Sequence, residues 1–398
     1  MVKIKTLVEL FDACQLENTI AGLRFEPKRI VYVGISEVMT EDKTKDLADF
    51  FKKRLPETEI VFESVNKFEY DFVVEKLIKI VEKYEDCYFD LTGGKEIVLT
   101  AMGAVSAKKN VPMFQFNVED GAFAPIYGCE GLLVKRQSTM TIKEGVELNG
   151  CAVIYNEKGD ISWDFNDEFI KDIKSMWEIA KVHSGSWNKQ SKQFEFFDSL
   201  KKDDQRFEVD DSTYLNKRIL MSLQRKGLIS GYFPGSDVFN LRYKNSQIKQ
   251  ALIKAGNILE LYIYILLLEI TKEEPGYYDD IDLSVYMDWD GILHGKKDVK
   301  KDTKNEIDVM AMRDLIPMFI SCKNGEVHKE ALYELDTVAS RFGGKYAKKF
   351  LIGTYINSDQ DSLEYFKQRA ADMNITLISD VNSYDESDLK NTLKDLIK

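Results

Sequence analysis

Two carboxylates and a lysine late in the chain have the types and spacing of a hydrolytic centre. If Asn305-Glu306-Ile307-Asp308-Val309 forms a strand, Glu306 and Asp308 share one face and Ile307 and Val309 the other. The next apolar run, Met318-Phe319-Ile320-Ser321-Cys322, ends in Lys323-Asn324-Gly325. A lysine placed there needs a negative partner, and Asp308 is the natural one. A third acid, Glu260, interrupts the otherwise apolar helical stretch Ile258-Leu259-Glu260-Leu261. Two carboxylates converging on a hard divalent ion beside a lysine can polarise a phosphate and hold an attacking water. Each piece also has a plain structural reading: a buried acid–lysine pair, an acid on a solvent face, acids two apart on a strand.

A second group of residues is suited to binding an anion. Asp90-Leu91-Thr92-Gly93-Gly94-Lys95 lies where a strand should meet a helix, so the glycines permit close approach and first-turn N–H groups face outward. The segment is not a Walker A loop, because Phe89 stands where its first glycine belongs and Glu96 replaces the Ser/Thr. It also lacks the G-x-G-x-x-G dinucleotide pattern. An earlier loop, Gly34-Ile35-Ser36 through Met39 and Thr40, should line the same cleft. A Gly-Gly pair alone reads equally well as a tight turn. The lysine-rich stretch Lys296, Lys297, Lys300, Lys301 and Lys304 is either a grip on a nucleic-acid backbone or a solvated hairpin tip.

The elements that must position these groups read as α/β. From Arg29 to about Asp120, β-rich runs at 29–35, 59–65, 87–91 and 112–118 alternate with amphipathic helices at about 41–55, 71–84 and 94–109. That is a doubly wound, Rossmann-like domain, which binds ligands beyond the carboxyl ends of its strands. The first residues read as an amphipathic segment interrupted by Glu9 and Asp12. From about 146 to 245 the signal is mainly helical, and 212–243 reads as a helix ending at Gly227 followed by a hairpin, the shape of a winged helix or of a simple connector. The last third, 246–398, reads as a second α/β unit with a mixed sheet: a long helix through 258–268, then strands at 282–287, 306–312, 317–322, 349–355 and 375–379 with helices between.

At 398 residues, 44% hydrophobic and 31% charged, the chain suits two or three folded domains. Ile258 to Ile270, the longest apolar stretch, carries Glu260 and Glu269 and is too short for a membrane span. Without a secretory-type N-terminal segment, a soluble cytoplasmic protein is expected. Five cysteines without C-x-x-C spacing and three scattered histidines disfavour a zinc site, so any metal would be held by carboxylates, as Mn2+ or Mg2+ are. A net charge of -12 offers no general attraction for nucleic acid.

The string DLTGGKEIVLTAMG after a hydrophobic strand, with the earlier VGIS loop, resembles the CARF sensor domain of CRISPR-associated proteins over about the first 140 residues. The resemblance implies a homodimer that binds a cyclic oligoadenylate, most often cyclic tetra-adenylate, across its two-fold axis. Ser36, Thr92, Gly93, Gly94 and Lys95 would contact phosphates and riboses, with Ile35, Met39 and Thr40 beside them and Asn66, past the second strand, as a further candidate. Over about 245–355, GN-x-LE, NEIDV and FISCKNG resemble the restriction-endonuclease-like core of the CRISPR ancillary nucleases in the Card1 and Can2 group. That implies Glu260 and Asp308 as metal ligands, the carbonyl of Cys322 completing the shell, and Lys323 orienting or activating water. Ser321 departs from the superfamily, which usually has an acid there; Glu306, or Glu330 and Glu334, would supply the missing charge. The function implied is a cyclic-tetra-adenylate-activated, metal-dependent endonuclease of type III CRISPR antiviral defence, acting on DNA, RNA or both. The alternative is a CARF-type transcription regulator that binds DNA through the winged-helix-like segment, without catalysis; a third reading is a dimer whose nuclease fold has decayed.

Overall fold

The computed structural model describes residues 4–117, 122–130, 139–154, 162–200, 206–210, 213–292, 304–356 and 360–395. Lys296, Lys297, Lys300 and Lys301, read above as a nucleic-acid grip, lie outside these residues.

The N-terminal domain comprises β1 (Thr6–Leu10), α1 (Glu17–Phe25), β2 (Arg29–Ile35), α2 (Glu41–Arg54), β3 (Glu59–Val65), α3 (Tyr70–Lys83), β4 (Cys87–Asp90), α4 (Glu96–Lys109), β5 (Met113–Asn117) and β6 (Ala122–Tyr127). Its strands form one sheet in the order β3-β2-β1-β4-β5-β6, parallel except for β6. Helices α1 and α2 cover one face, with Leu23, Leu47 and Phe51 packed on Leu7 and Tyr32. On the other face α3 and α4 place Leu77, Val98 and Met102 against Val8, Val33 and Phe89. The chain is therefore doubly wound, and the connections reverse between β1 and β4, where such sheets take their ligands.

One expectation needs correcting. Thr6–Leu10 is the central strand, buried along its whole length, rather than part of an amphipathic segment. Glu9 disguises it: this carboxyl is buried in register with Tyr32 on one side and Asp90 on the other. Burial, reinforced by Asp90, pushes the Glu9 carboxyl well above its usual range.

Helix α5 (Ile142–Leu148) joins the domains. A capping box between Thr141 and Glu144 starts it, and Arg54 of α2 meets both Glu144 oxygens at 3.0 Å. Its Val146 and Leu148 belong to a core containing both Phe50 of the N-terminal domain and Phe342 of the C-terminal part.

After β7 (Ala152–Ile154), the middle segment comprises α6 (Asp167–Val182), α7 (Ser184–Ser199), β8 (Arg206–Glu208), α8 (Lys217–Arg225), β9 (Ile229–Ser230), β10 (Val238–Asn240), β11 (Arg242–Tyr243) and α9 (Ser246–Ile253). Helix α8 is followed by the small antiparallel pair β9/β11, but Val238–Asn240, expected in the same hairpin, pairs instead with β8, so the expected hairpin is split between two small sheets. Trp177, Phe194 and Leu223 of this segment share a core with the next domain, so the middle segment and the C-terminal sheet pack as one body.

The C-terminal domain follows: α10 (Asn257–Glu273), β12 (Asp280–Asp288), β13 (Lys304–Arg313), β14 (Ile316–Val327), α11 (Glu330–Gly343), β15 (Lys348–Ile356), α12 (Gln360–Asp372), β16 (Ile375–Ile378) and α13 (Glu386–Asp395). Its sheet runs β16-β15-β14-β13-β12-β7, antiparallel from β7 to β14 and parallel from β14 to β16. The edge strand β7 comes from far earlier in the chain. Apolar on nearly every side, α10 is a buried core helix, and among the described residues no single helix is long and apolar enough to cross a membrane.

Candidate nuclease and activator sites

The catalytic candidates meet where two strands part. Strands β13 and β14 pair from Arg313↔Ile316 as far as Val309↔Ile320; beyond that, β13 keeps only β12 and β14 only β15 as ladder partners. Asp308 sits at the opening. Its Oδ2 accepts the backbone N–H of Cys322 at 2.6 Å and the hydroxyl of Ser321 at 3.2 Å, so a side chain replaces the missing ladder bond. Lys323 Nζ lies 3.7 Å from the same oxygen, as a lysine at the end of an apolar run requires. Ser321 thus helps to orient Asp308.

Glu260 reaches the same place from the first turn of α10. Burial, Asp308 and Glu306 push its carboxyl up to about 8, against the pull of Lys254 and Lys323. Its Oε2 is buried without a hydrogen-bond partner. A buried carboxylate oxygen with no donor, facing a second carboxylate, fits a hard cation, and the Cys322 main chain lies alongside. Among the described residues no group of three or more His, Cys, Asp or Glu side chains is gathered for a metal, so Glu260 and Asp308 would need main-chain and water oxygens to complete a shell. The Cys322 thiol itself is buried, its pKa raised by burial, Asp308 and Glu260.

Glu306 behaves differently from its neighbour. It pairs with Lys254 at 3.6 Å. The simple alternation expected here also breaks: Ile307 packs with Val285 and Met287, whereas Val309 packs with the α10 side. Ser284, in β12 between the partners of Ile307 and Val309, has a φ of 53°, a backbone kink that accounts for the switch. Glu330 and Glu334 are exposed on α11.

In the N-terminal domain the small-residue loops gather at the β1/β4 switch point. Gly93 and Gly94 have φ of 72° and 80°, and a Cβ on Gly94 would stand 2.4 Å from Leu10 Cβ. The cradle is already engaged. Gly94 N–H donates to Asp12 Oδ2 at 2.6 Å, and Asp12 Oδ1 also accepts from Cys14 N–H at 2.7 Å. Sequence reasoning passed over Asp12, although an aspartate at the end of an apolar strand, two residues before a turn, is a common anchor for such a loop. Thr92 is buried, with its hydroxyl donating to Asp90 at 2.6 Å and accepting from Phe116 N–H at 2.8 Å, so it locks β4 to β5. Ser36 and Lys95 are exposed, Ile35 is buried, Met39 is half-buried, and Thr40 begins α2. Asn66 is taken up in its own turn by Glu69 and Phe68 N–H.

Burial lifts the Asp90 carboxyl to about 7, against the hydrogen bonds from Thr92. A carboxyl raised on folding contributes stability that is present below its unfolded pKa near 4 and lost as pH rises through 7. Asp90→Asn keeps the acceptor for Thr92. It is therefore expected to gain stability, from nearly nothing at pH 4 to as much as about 4 kcal/mol above pH 7. Thermal unfolding at pH 4.5 and pH 8 checks this; an equal shift at both would refute it.

The two domains touch directly beside the cradle. Glu17 on α1 accepts Lys345 Nζ at 2.8 Å and Tyr346 hydroxyl at 2.5 Å, both from the 3-10 turn Gly344–Tyr346 before β15. A cleft of about 1050 Å³ lies between the domains, lined by residues including Asp12, Cys14, Asp46, Arg341 and Lys345. Neither Asp308 nor Lys323 lines it.

Residues 248–398 match the family model of the Card1-like endonuclease domain. Glu260, Asp308 and Lys323 all fall within this Card1-like domain. Over the whole chain, a protein from Vibrio cholerae, VC1899, shares the fold with a TM-score of 0.78 at 16% identity, covering 99% of this chain and 98% of its own. Can2 from Sulfobacillus thermosulfidooxidans, solved in complex with cyclic tetra-adenylate, has a TM-score of 0.71 at 18% identity, covering 99% of each chain. No curated protein sequence matches significantly. The whole chain therefore shares the fold of VC1899 and Can2, and its residues 248–398 resemble a Card1-like endonuclease domain.

Proposed function

We propose that this protein is a metal-dependent endonuclease of type III CRISPR defence, switched on by cyclic tetra-adenylate bound at the N-terminal domain. The observation that carries the reading is the meeting of Glu260, Asp308 and Lys323 at the parting of β13 and β14 inside a Card1-like domain. A pure transcription regulator has no use for that convergence.

A Mn2+ or Mg2+ ion held by Glu260, Asp308 and the Cys322 carbonyl would supply Lewis-acid stabilisation of charge developing on the phosphate. The chain's own residues set the rest. Ser321 and Cys322 N–H fix the Asp308 carboxylate, and Lys323 places its ammonium where it can hold water or a phosphate oxygen. Glu306, held by Lys254, contributes field rather than a ligand. The acidic chain favours single-stranded or locally opened nucleic acid, with nicking of supercoiled DNA as a companion activity.

Activator binding is supported by the glycine cradle at the switch point and by the cyclic tetra-adenylate in the Can2 structure. Pairing of two copies is supported by exposed Phe68 (81%), Phe72 (46%) and Leu99 (41%) on α3, α4 and the loop before them. Calorimetric titration with cyclic tetra-adenylate should show one nucleotide per two chains; absence of binding would remove the switch from the reading.

The Glu17 contact offers a direct route from sensor to nuclease. Asp12, in the loop that leads into α1, holds Gly94, while Lys345 and Tyr346 lead into β15, which pairs with β14 at Lys323↔Gly353. Lys345→Ala should lower activated cutting about tenfold while leaving activator affinity within twofold, a coupling loss of roughly 1.4 kcal/mol. Unchanged activation would place the coupling elsewhere.

A further inference from the structure

We infer that Asn188, on α7 of the middle segment, is a positioning residue for Lys323. The inference rests on the nuclease reading and adds a role for a segment outside the Card1-like match.

The register between β14 and β15 slips immediately after the lysine. Lys323 pairs with Gly353 but Glu326 pairs with Tyr355, so β14 carries one extra residue there. A bulge of this kind bends a strand and re-aims the adjoining side chain. Left unpaired, the bulged Asn324 and Gly325 would be loose, and the direction of Lys323 with them.

Three side chains hold the bulge. Asn188 Nδ2 donates to the Asn324 carbonyl, and Asn324 Nδ2 donates back to Asn188 Oδ1 at 3.3 Å. Thr354 on β15 accepts Gly325 N–H at 2.8 Å and donates to Asn324 Oδ1 at 3.3 Å. Asn324 and Thr354 are 5% and 2% exposed, so these bonds are sheltered from water. Gly325 has a φ of 141°, and a Cβ there would come within 3.2 Å of Asn188 Nδ2, so the helix closes directly over the bulge. Trp187, 1% exposed, anchors that turn of α7 in the shared core. The amide pair therefore ties a rigid helix to the backbone on which Lys323 stands, and Lys323 in turn faces Asp308.

The test measures cutting of a single-stranded or supercoiled substrate at saturating activator and manganese for wild type, Asn188→Ala, Thr354→Val, the double variant and Lys323→Ala. Asn188→Ala and Thr354→Val are each expected to lower kcat about 10- to 50-fold, with KM and activator affinity within twofold. The double variant should be no slower than about the slower single, because both act on one unit. Normal kcat in Asn188→Ala with Lys323→Ala inactive would overturn this inference alone. A rise in KM without loss of kcat, or fully multiplicative losses in the double variant, would also overturn it. A wild type that never cuts would bring down the nuclease reading itself.

Discussion

Asp308→Asn is expected to reduce activated cutting by about 10³-fold or more, equivalent to at least about 4 kcal/mol of transition-state stabilisation. The amide lacks the negative charge a divalent ion needs, yet its oxygen still accepts the Cys322 N–H and the Ser321 hydroxyl. Folding and activator binding should therefore survive. Asp308→Ala is the less clean variant, since it strands a backbone donor where no ladder partner replaces it, at a cost of about 1–3 kcal/mol. Measuring cleavage, unfolding temperature and activator affinity on the asparagine variant separates chemistry from fold. Loss of all three would show that Asp308 is chiefly structural.

The second large effect belongs to Gly94. Its φ of 80° already costs an alanine about 1–2 kcal/mol, and the added methyl would sit 2.4 Å from Leu10 Cβ on the central strand. The loop must then move, breaking the Gly94 bond to Asp12 and displacing the N–H groups at the start of α4. Gly94→Ala should weaken activator binding at least tenfold and activated cutting about 100-fold at fixed nucleotide. Restoration of cutting at high nucleotide would identify the defect as binding. Wild-type affinity in this variant would mean that the activator lies elsewhere.

How much of this was legible in the sequence depends on the range of each interaction. The β2 to β5 alternation with helices is local, and strands read at 29–35 and 59–65 match the structure to the residue. The Asp308–Lys323 partnership was also readable, because a lysine ending an apolar run demands a counter-charge. Thr6–Leu10 was not, since the buried Glu9 breaks its apolar pattern and only its neighbours Tyr32 and Asp90 explain it. The joining of Ala152–Ile154 to the edge of a sheet that begins 126 positions later carries no local signal at all. Nor does the switch of faces between Ile307 and Val309, which depends on the backbone of Ser284 on another strand. Asp12 in the glycine cradle and Asn188 over the β14 bulge belong to the same class: each is an ordinary polar residue until the fold brings its partner to it.

The central claim is tested most directly by incubating the purified protein with supercoiled plasmid, single-stranded DNA and single-stranded RNA in manganese, with and without cyclic tetra-adenylate. The account predicts cutting of at least one substrate only when nucleotide and metal are both present. Binding of the nucleotide with no cutting of any substrate would contradict it and favour a regulator that acts by binding DNA.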